Sequence, residues 1–320
     1  MYTLRNKRVW VAGHRGLVGA ALVRRLEREN CLVQTVSHAS LDLRAAPAVN
    51  RWMREARPQA IFLAAARVGG IHANDTQPAS FLYDNLTIAA NVIEAAHRYN
   101  VERLLFLGSS CIYPRLAPQP ITEDALLTGP LEPTNEWYAI AKIAGIKLCQ
   151  AYRREHGCDF ISAMPTNLYG PGDNFDPMTS HVAAALMLKA HRAKLADAPT
   201  LTVWGSGRPL RELLYVDDAA DGLVFLMQRY NEDEPINLGS GQELSIADLA
   251  RLVCRVVGFR GSLVFDPDKP DGTPRKVLDL ARLERMGWHA QTSLEEGLAR
   301  TYRWFLTHRA APVPSPLAHA

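Results

Sequence analysis

The 320-residue chain contains no apolar run approaching the roughly 18 residues that cross a bilayer, so a membrane-spanning protein is not expected. It also lacks any block of like charge. Its 36 basic and 33 acidic residues are mixed along the length and leave a net charge of +3, which gives no electrostatic case for nucleic acid or a membrane surface as partner. The N-terminal residues lack the charged, apolar and small-residue blocks of a secretory signal, and a cytoplasmic protein is expected. Cysteine is sparse: Cys31, Cys111, Cys149, Cys158 and Cys254 are odd in number and form no C-x-x-C pair. That pattern argues for free thiols in a reducing compartment and against structural zinc. The ten histidines show no ligand spacing, so no metal is expected. What remains is an ordinary globular composition, 48% hydrophobic and 22% charged, long enough for one large α/β domain or two smaller ones with small molecules as partners.

Against that plain background, Tyr138 and Lys142 stand four residues apart, a spacing that stacks a phenol and an ammonium on one helix face. A positive charge roughly 4 Å from a phenol is worth about 4 kcal/mol at an effective dielectric of 20, or about three pKa units. Such a tyrosine could exchange a proton with a ketone oxygen near neutral pH. An isolated Y-x-x-x-K is more often a half-buried aromatic beside a solvated lysine, so two further motifs decide the reading.

The first is Val9-Trp10-Val11-Ala12-Gly13-His14-Arg15-Gly16-Leu17-Val18-Gly19, an apolar strand running into a glycine-punctuated turn and an amphipathic helix. Gly13 permits the tight turn, Gly16 lets the backbone approach phosphates, and Gly19 allows close helix–strand packing, which places a diphosphate on a helix N-terminus. The second is Phe106-Leu107-Gly108-Ser109-Ser110-Cys111-Ile112-Tyr113, a strand that ends in hydroxyls and a thiol. The carboxyl ends of strands in an open parallel sheet are where ligands bind. Strand alternation turns Ser110 away from the face shared by Ser109 and Cys111, leaving Ser109 as the expected donor.

Strands are expected near 8–11, 32–36, 60–64, 103–107 and 160–164, with helices near 17–29, 79–98 and 138–156 between them. Repeated strand–helix–strand units predict α/β architecture with a Rossmann-type, doubly wound parallel sheet. Five prolines from Pro114 to Pro133 predict an ordered loop over the site. After Pro165 short strands near 201–204, 213–216 and 236–238 mix with helices near 217–228 and 245–257, which suits a second, smaller interleaved α/β domain. The alanine- and proline-rich residues 309–320 read as a flexible tail.

Together these segments resemble the extended short-chain dehydrogenase/reductase superfamily and, across about residues 5–308, its GDP-L-fucose synthase family. Leu63 to Gly70, Gly108 to Pro114, Glu132 to Lys142, Pro165 to Pro171 and Lys269 to Lys276 carry the likeness with the glycine turn. The resemblance implies that residues 1–167, with a returning segment near 212–240, bind NADP, and that 168–308 bind a GDP-sugar. It implies epimerisation of GDP-4-keto-6-deoxy-D-mannose at carbons 3 and 5 and reduction of the carbon 4 ketone with NADPH, in a homodimer paired through two long helices near 79–98 and 138–156. Both epimerised carbons flank the ketone, so one oxyanion site serves three steps. The catalytic set so implied is Ser109, Cys111, Tyr138, Lys142 and His181, with Tyr138 and Ser109 at the ketone oxygen, Cys111 as base and His181 as acid. On their own, a strand-end cysteine is usually a small buried hydrophobe and a lone histidine a satisfied hydrogen bonder.

For NADPH/NADP the same likeness assigns Gly13, His14, Arg15, Gly16, Leu17, Val18, Gly19, His38, Leu107, Gly108, Lys142, Pro165, Thr166, Asn167, Leu168 and His181. For the substrate it assigns Asn167, Lys189, Trp204, Arg211, Asp271 and Lys276, with the Arg211 fork on the diphosphate. Asn167 alone could equally make an Asx turn, and any one of these bases a solvated surface charge. Many family members carry arginine where Lys189 stands. The second strand ends in Gln34-Thr35-Val36-Ser37-His38 without an acid for the ribose hydroxyls, which admits a 2′-phosphate that Arg15 could pair, although the arginine expected near His38 is missing. Two other readings compete. A UDP-sugar 4-epimerase of the same superfamily would share the glycine turn, Ser109, Tyr138 and Lys142 but have no use for Cys111 and His181, and a non-enzymatic NADPH-binding module would lose part of the catalytic set.

Overall fold

A computed structural model describes residues 1–177, 179–269 and 271–308. The chain runs β1 (Arg8–Ala12), α1 (Leu17–Leu26), β2 (Leu32–Gln34), α2 (Ala46–Ala56), β3 (Ala60–Leu63), α3 (Ile71–Thr76), α4 (Pro78–Arg98), β4 (Arg103–Leu107), α5 (Glu136–His156) and β5 (Phe160–Pro165). It continues through β6 (Asn167–Tyr169), α6 (Val182–Leu195), β7 (Thr200–Trp204), β8 (Leu210–Tyr215), α7 (Val216–Arg229), β9 (Ile236–Leu238), β10 (Glu243–Ser245), α8 (Ile246–Val257), β11 (Ser262–Asp266), β12 (Arg275–Lys276), α9 (Ala281–Arg285) and α10 (Leu294–His308).

The main sheet is parallel, in the order β2-β1-β3-β4-β5-β9. Strand order reverses between β1 and β3, and the crevice beyond their carboxyl ends is where such sheets bind ligands. The central strands read as continuous apolar runs because helices cover both faces. Along β1 the side chains alternate: Trp10 enters the core with Val92, Ile93, Phe106 and Ile146, under α4 and α5. Val9 and Val11 enter the opposite core with Leu22, Leu105 and Leu223, under α1 and α7. The Gly145 position in α5 has no room for a side chain, since a Cβ there would lie 2.4 Å from the Phe106 ring. This close approach brings Lys142, one turn earlier, down onto the end of β4.

A third core, including Met187, Val203, Leu249, Val253, Leu298 and Phe305, lies beneath the smaller sheets. There β8 is flanked by β10 and β12 and also pairs with β6, while β7 pairs with β11. The chain then returns through α7 to place β9 beside β5, so the two layers interleave as the sequence pattern predicts. The expected strand 213–216 begins earlier, at Leu210. Charged Arg211 and Glu212 mask its start in the sequence, but backbone pairing to β10 and β12 makes it a strand. The second strand stops at Gln34 rather than residue 36, before a turn in which Leu41 N donates to Ser37 O.

The proline-rich segment is ordered by one buried amide. Asn237 Nδ2 donates to Ile121 O (2.9 Å) and Asp279 O (3.0 Å), and its Oδ1 accepts from the Tyr113 hydroxyl (2.6 Å). The expected tail, 309–320, lies outside the described residues. Among the described residues no helix is long and apolar enough to cross a membrane, and no group of three or more His, Cys, Asp or Glu is placed to hold a metal ion.

Candidate active site

The glycine turn opens the crevice between β1 and β3. Gly13 has φ +90°, and a Cβ there would lie 2.7 Å from Ala65 N; a Cβ on Gly19 would lie 2.1 Å from Gly13 O. Both glycines are therefore fixed by backbone approach. Gly16 differs: a Cβ would meet only Gly13 O, at 3.4 Å, so the protein leaves the space beyond it open. Gly16 also caps α1 without a side-chain hydrogen bond, which leaves the first N–H groups of the helix for an anion. These features fit a dinucleotide diphosphate, with the half-buried Leu17 and Val18 packed against the core behind it. His14 is held below its ordinary pKa by burial and then by the charge of Arg15. Arg15 is exposed and makes no ion pair among the described residues, and His38 is also exposed. Arg44 is tied to Asp42 (2.8 Å) and Asp84 (3.1 Å).

At the inner end, β4 stops at Leu107 and Gly108 N donates to Ala163 O (2.9 Å). Residues 110–112 then form a single 3-10 turn whose start is capped by the Ser109 hydroxyl, accepting from Cys111 N at 3.4 Å. This corrects the argument that set Ser110 aside. Strand alternation does not extend into a 3-10 turn, and Ser110 lines the same small cavity as Cys111, Glu132 and Lys276. The expectation that Lys142 acidifies Tyr138 is also corrected. Lys142 Nζ donates to Leu107 O (2.7 Å) and lies 4.8 Å from the Phe106 ring centroid and 5.7 Å from that of Tyr138. Burial pushes the Tyr138 phenol up, and the charge of Cys111 adds to that rise. Lys142 is pushed down to about 8 by burial, with Cys111 opposing.

Cys111 thus acts electrostatically on Tyr138, Lys142 and Lys276, and Lys276 in turn acts on His181. His181 is the exposed residue that caps the start of α6. The surrounding protein still desolvates its ring, which with Lys276 lowers its pKa. Tyr138 meets Phe81 edge-on at 6.4 Å, and Phe81 carries Arg67 over its face. From the next strand, Pro165 pairs with Leu238, Thr166 N donates to Leu238 O (2.9 Å), and Leu168 packs into the core. Asn167 spends its amide on Glu212 O (2.9 Å) rather than on an Asx turn.

The remaining predicted residues gather at the edge of the smaller sheets. Lys189 Nζ lies 4.6 Å from the Trp204 ring centroid and Lys269 Nζ 5.7 Å from it. Asp271 accepts from Ser206 N and Ser206 Oγ, both at 2.7 Å, and holds the tight turn at Gly205. Arg211 donates to Leu210 O (2.8 Å) and Asp271 O (3.4 Å), and burial lowers its pKa despite Asp271 and Glu132. Sequence reasoning gave no role to Glu132, Glu212 or Lys269. Glu132 lies 3.3 Å from Arg115, accepts from Thr134 (3.3 Å) and Thr273 (3.4 Å), and acts on Lys276. Its place in the Glu132-Pro133-Thr134-Asn135 segment was the available signal.

Residues 9–239 match the model of the NAD dependent epimerase/dehydratase family. The chain belongs to that family. Within it, this epimerase-family chain is 60% identical to a GDP-L-fucose synthase of Sinorhizobium fredii, over 97% of its own length and 99% of the relative's. It is 51% identical to the GDP-L-fucose synthase of Escherichia coli, over 95% and 98%. Among solved structures, a GDP-L-fucose synthetase from Naegleria fowleri bound to NADP superposes with a TM-score of 0.88 at 32% identity, covering 96% of each chain.

Proposed function

We propose that this chain is a GDP-L-fucose synthase, an NADPH-dependent oxidoreductase with epimerase activity that converts GDP-4-keto-6-deoxy-D-mannose to GDP-L-fucose. The observation that carries the reading is that the Tyr138–Lys142 pair of α5, with Lys142 bonded to the end of β4, occurs together with Cys111 in the turn that follows β4, where it lines one cavity with Lys276, and with His181 at the start of α6. A reductase or a 4-epimerase needs the phenol and the lysine but has no use for the thiol and imidazole. The high identity to GDP-L-fucose synthases over nearly the whole chain supports the same conclusion.

In this reading Cys111 removes a proton from the carbon flanking the ketone, and the resulting charge sits on the ketone oxygen. Tyr138 and Ser109 hydrogen-bond that oxygen. His181 returns a proton on the opposite side, which inverts the carbon, and the exchange occurs once at each flanking carbon. NADPH supplies the hydride for carbon 4 when bound. Tyr138 then protonates the oxygen. A phenol of raised pKa is a holder of its proton in the free protein, suited to donate only when negative charge builds on the oxygen beside it. Arg211, Lys189 and Lys276 supply positive charge for the diphosphate, and Trp204 an apolar face for the base.

The reading divides the chain into an NADP-binding unit, 1–167 with the returning segment near 212–240, and a GDP-sugar-binding unit, 168–308. It also includes a homodimer. Tyr83 and Leu86 on α4, with Trp137 and Ile140 on α5, are exposed apolar pairs at i, i+3 spacing on the outer surface; Tyr83 is 66% and Trp137 42% exposed. A cytoplasmic location accords with five cysteines that all stand as free thiols.

Incubation with NADPH and freshly made GDP-4-keto-6-deoxy-D-mannose tests the reading. Stoichiometric NADPH loss with GDP-fucose formed supports it, and no oxidation refutes it. Cys111→Ser and His181→Gln should slow deuterium exchange at carbons 3 and 5 far more than Tyr138→Phe does, and equal losses would count against the division of roles.

A further inference from the structure

Glu212 is wholly buried, yet it lies between the two ligand-binding layers and carries an ionisable group. Its Oε1 accepts from Ser240 N (2.7 Å) and Gly241 N (2.9 Å), and its Oε2 accepts from Leu278 N (2.9 Å). Its backbone oxygen accepts from Thr166 Oγ1 (3.3 Å) and Asn167 Nδ2 (2.9 Å). One residue in β8 therefore bonds the segment after β5, the segment after β9 and the segment after β12. The first two follow the carboxyl ends of main-sheet strands. The third begins two residues beyond Lys276. The fit is tight, since a Cβ on Gly239 would lie 2.1 Å from Glu212 Oε1.

Arg211 is the neighbouring residue in the same strand. Side chains alternate along a strand, so the carboxylate occupies one face of β8 while the guanidinium reaches Asp271 on the other. The fastening can therefore be altered without touching the surface that meets ligand. Burial raises the Glu212 pKa, and the three N–H donors work against that rise. Among the described residues no cationic side chain hydrogen-bonds it; the carboxylate is held by backbone donors, a geometry suited to holding position.

We propose that Glu212 is a positioning residue for the GDP-sugar: its carboxylate fastens the Arg211 strand to the segments that follow β9 and β12, and so fixes the diphosphate clamp relative to the main sheet. The proposal rests on the functional reading above in assigning the diphosphate to Arg211. Glutamine is nearly isosteric but offers a single acceptor oxygen to three N–H donors, and its amide hydrogens would face at least one of them. The strand should remain but lose its fixed register to the main sheet.

The test uses the full chain as Glu212→Gln, Arg211→Lys and the double variant, with GDP titrated calorimetrically at saturating NADP and NADPH titrated separately. Glu212→Gln should weaken GDP at least about tenfold, as displacement of a positioned group does. NADPH affinity should stay within about twofold, and the two substitutions should be less than additive, because they act on one clamp. GDP affinity unchanged in Glu212→Gln, equal losses of GDP and NADPH, or strict additivity would each overturn the proposal. If Glu212→Gln does not fold, Gly239→Ala displaces the same carboxylate from its other side; it must show the same selective loss, and unaltered GDP binding refutes the role. A wild-type protein that binds GDP but does not turn over the keto-sugar refutes the functional reading instead, and leaves the binding ratios to judge Glu212.

Discussion

The Lys142 ammonium donates to the Leu107 carbonyl at 2.7 Å and stands 5.7 Å from the Tyr138 ring centroid, so in the free protein it is anchored to the end of β4 rather than to the phenol. Burial brings its pKa down to about 8, inside the range of an ordinary assay. The lysine is charged below that value and neutral above it. The kcat/KM for NADPH oxidation should therefore fall as pH rises past about 8, since that ratio reports the free enzyme. Lys142→Arg keeps a charge at all accessible pH and should abolish this limb at reduced overall activity, whereas Lys142→Met should lose about 10²-fold or more throughout. A limb that survives in Lys142→Arg belongs to another group.

That anchoring shows what a single sequence can and cannot express. The i, i+4 spacing put Tyr138 and Lys142 on one face of α5, but spacing is silent on which neighbour the flexible ammonium chooses. The choice follows from Gly145, which lets the helix sink onto Phe106. The parallel sheet was legible because its buried strands are apolar on both faces, and the glycine turn because backbone clearance admits no side chain. The alternation that separated Ser110 from Ser109 and Cys111 does not apply there, because the strand pattern was carried past Leu107 into a 3-10 turn. Glu212 was invisible because the expected strand began at residue 213, beyond it, and because its partners are main-chain N–H groups that no sequence pattern marks.

Cofactor preference should turn on Arg15. Arg44 already shares its charge with Asp42 and Asp84, whereas Arg15 is exposed beside the glycine turn with no ion pair among the described residues. A charge-assisted contact to a 2′-phosphate is worth about 1.5–3 kcal/mol, so Arg15→Ala should weaken NADPH by about tenfold or more and leave NADH nearly unchanged. Arg44→Ala should alter the ratio much less. Fluorescence titration with each nucleotide decides the matter, and an equal loss of both would reassign Arg15 to the shared diphosphate.

The Asn237 amide holds the proline-rich segment at the sheet edge. Asn237→Ala leaves Asp279 O and the Tyr113 hydroxyl without their buried partner, at about 1–3 kcal/mol for each unsatisfied group before relaxation, while Ile121 O keeps the Asp279 N donor at 2.8 Å. Tyr113→Phe removes one bond and should cost about 1 kcal/mol. Urea midpoints should fall in that order. Equal midpoints for wild type and Asn237→Ala would mean that water replaces the amide without loss.

Asp173 lies in the segment that leads from β6 to His181 and is 3% exposed. Its Oδ1 accepts from Asn174 N (2.7 Å), but Oδ2 has no hydrogen-bond partner among the described residues, and burial pushes the carboxyl up to about 7. A folded-state pKa above the unfolded value means that the folded chain holds the proton more tightly. The resulting stability is complete below about pH 4 and is lost as pH rises through about 7. A shift of about three units sets a ceiling near 4 kcal/mol on the stability that titrates away. Asp173→Asn cannot ionise, so its stability should vary less between pH 5 and pH 8, and at pH 8 it should exceed the wild type. Urea unfolding at the two pH values measures both quantities. If the variant differs from wild type by the same amount at each, Asp173 ionises normally in the folded chain and its burial does not govern the pH response of the segment that delivers His181.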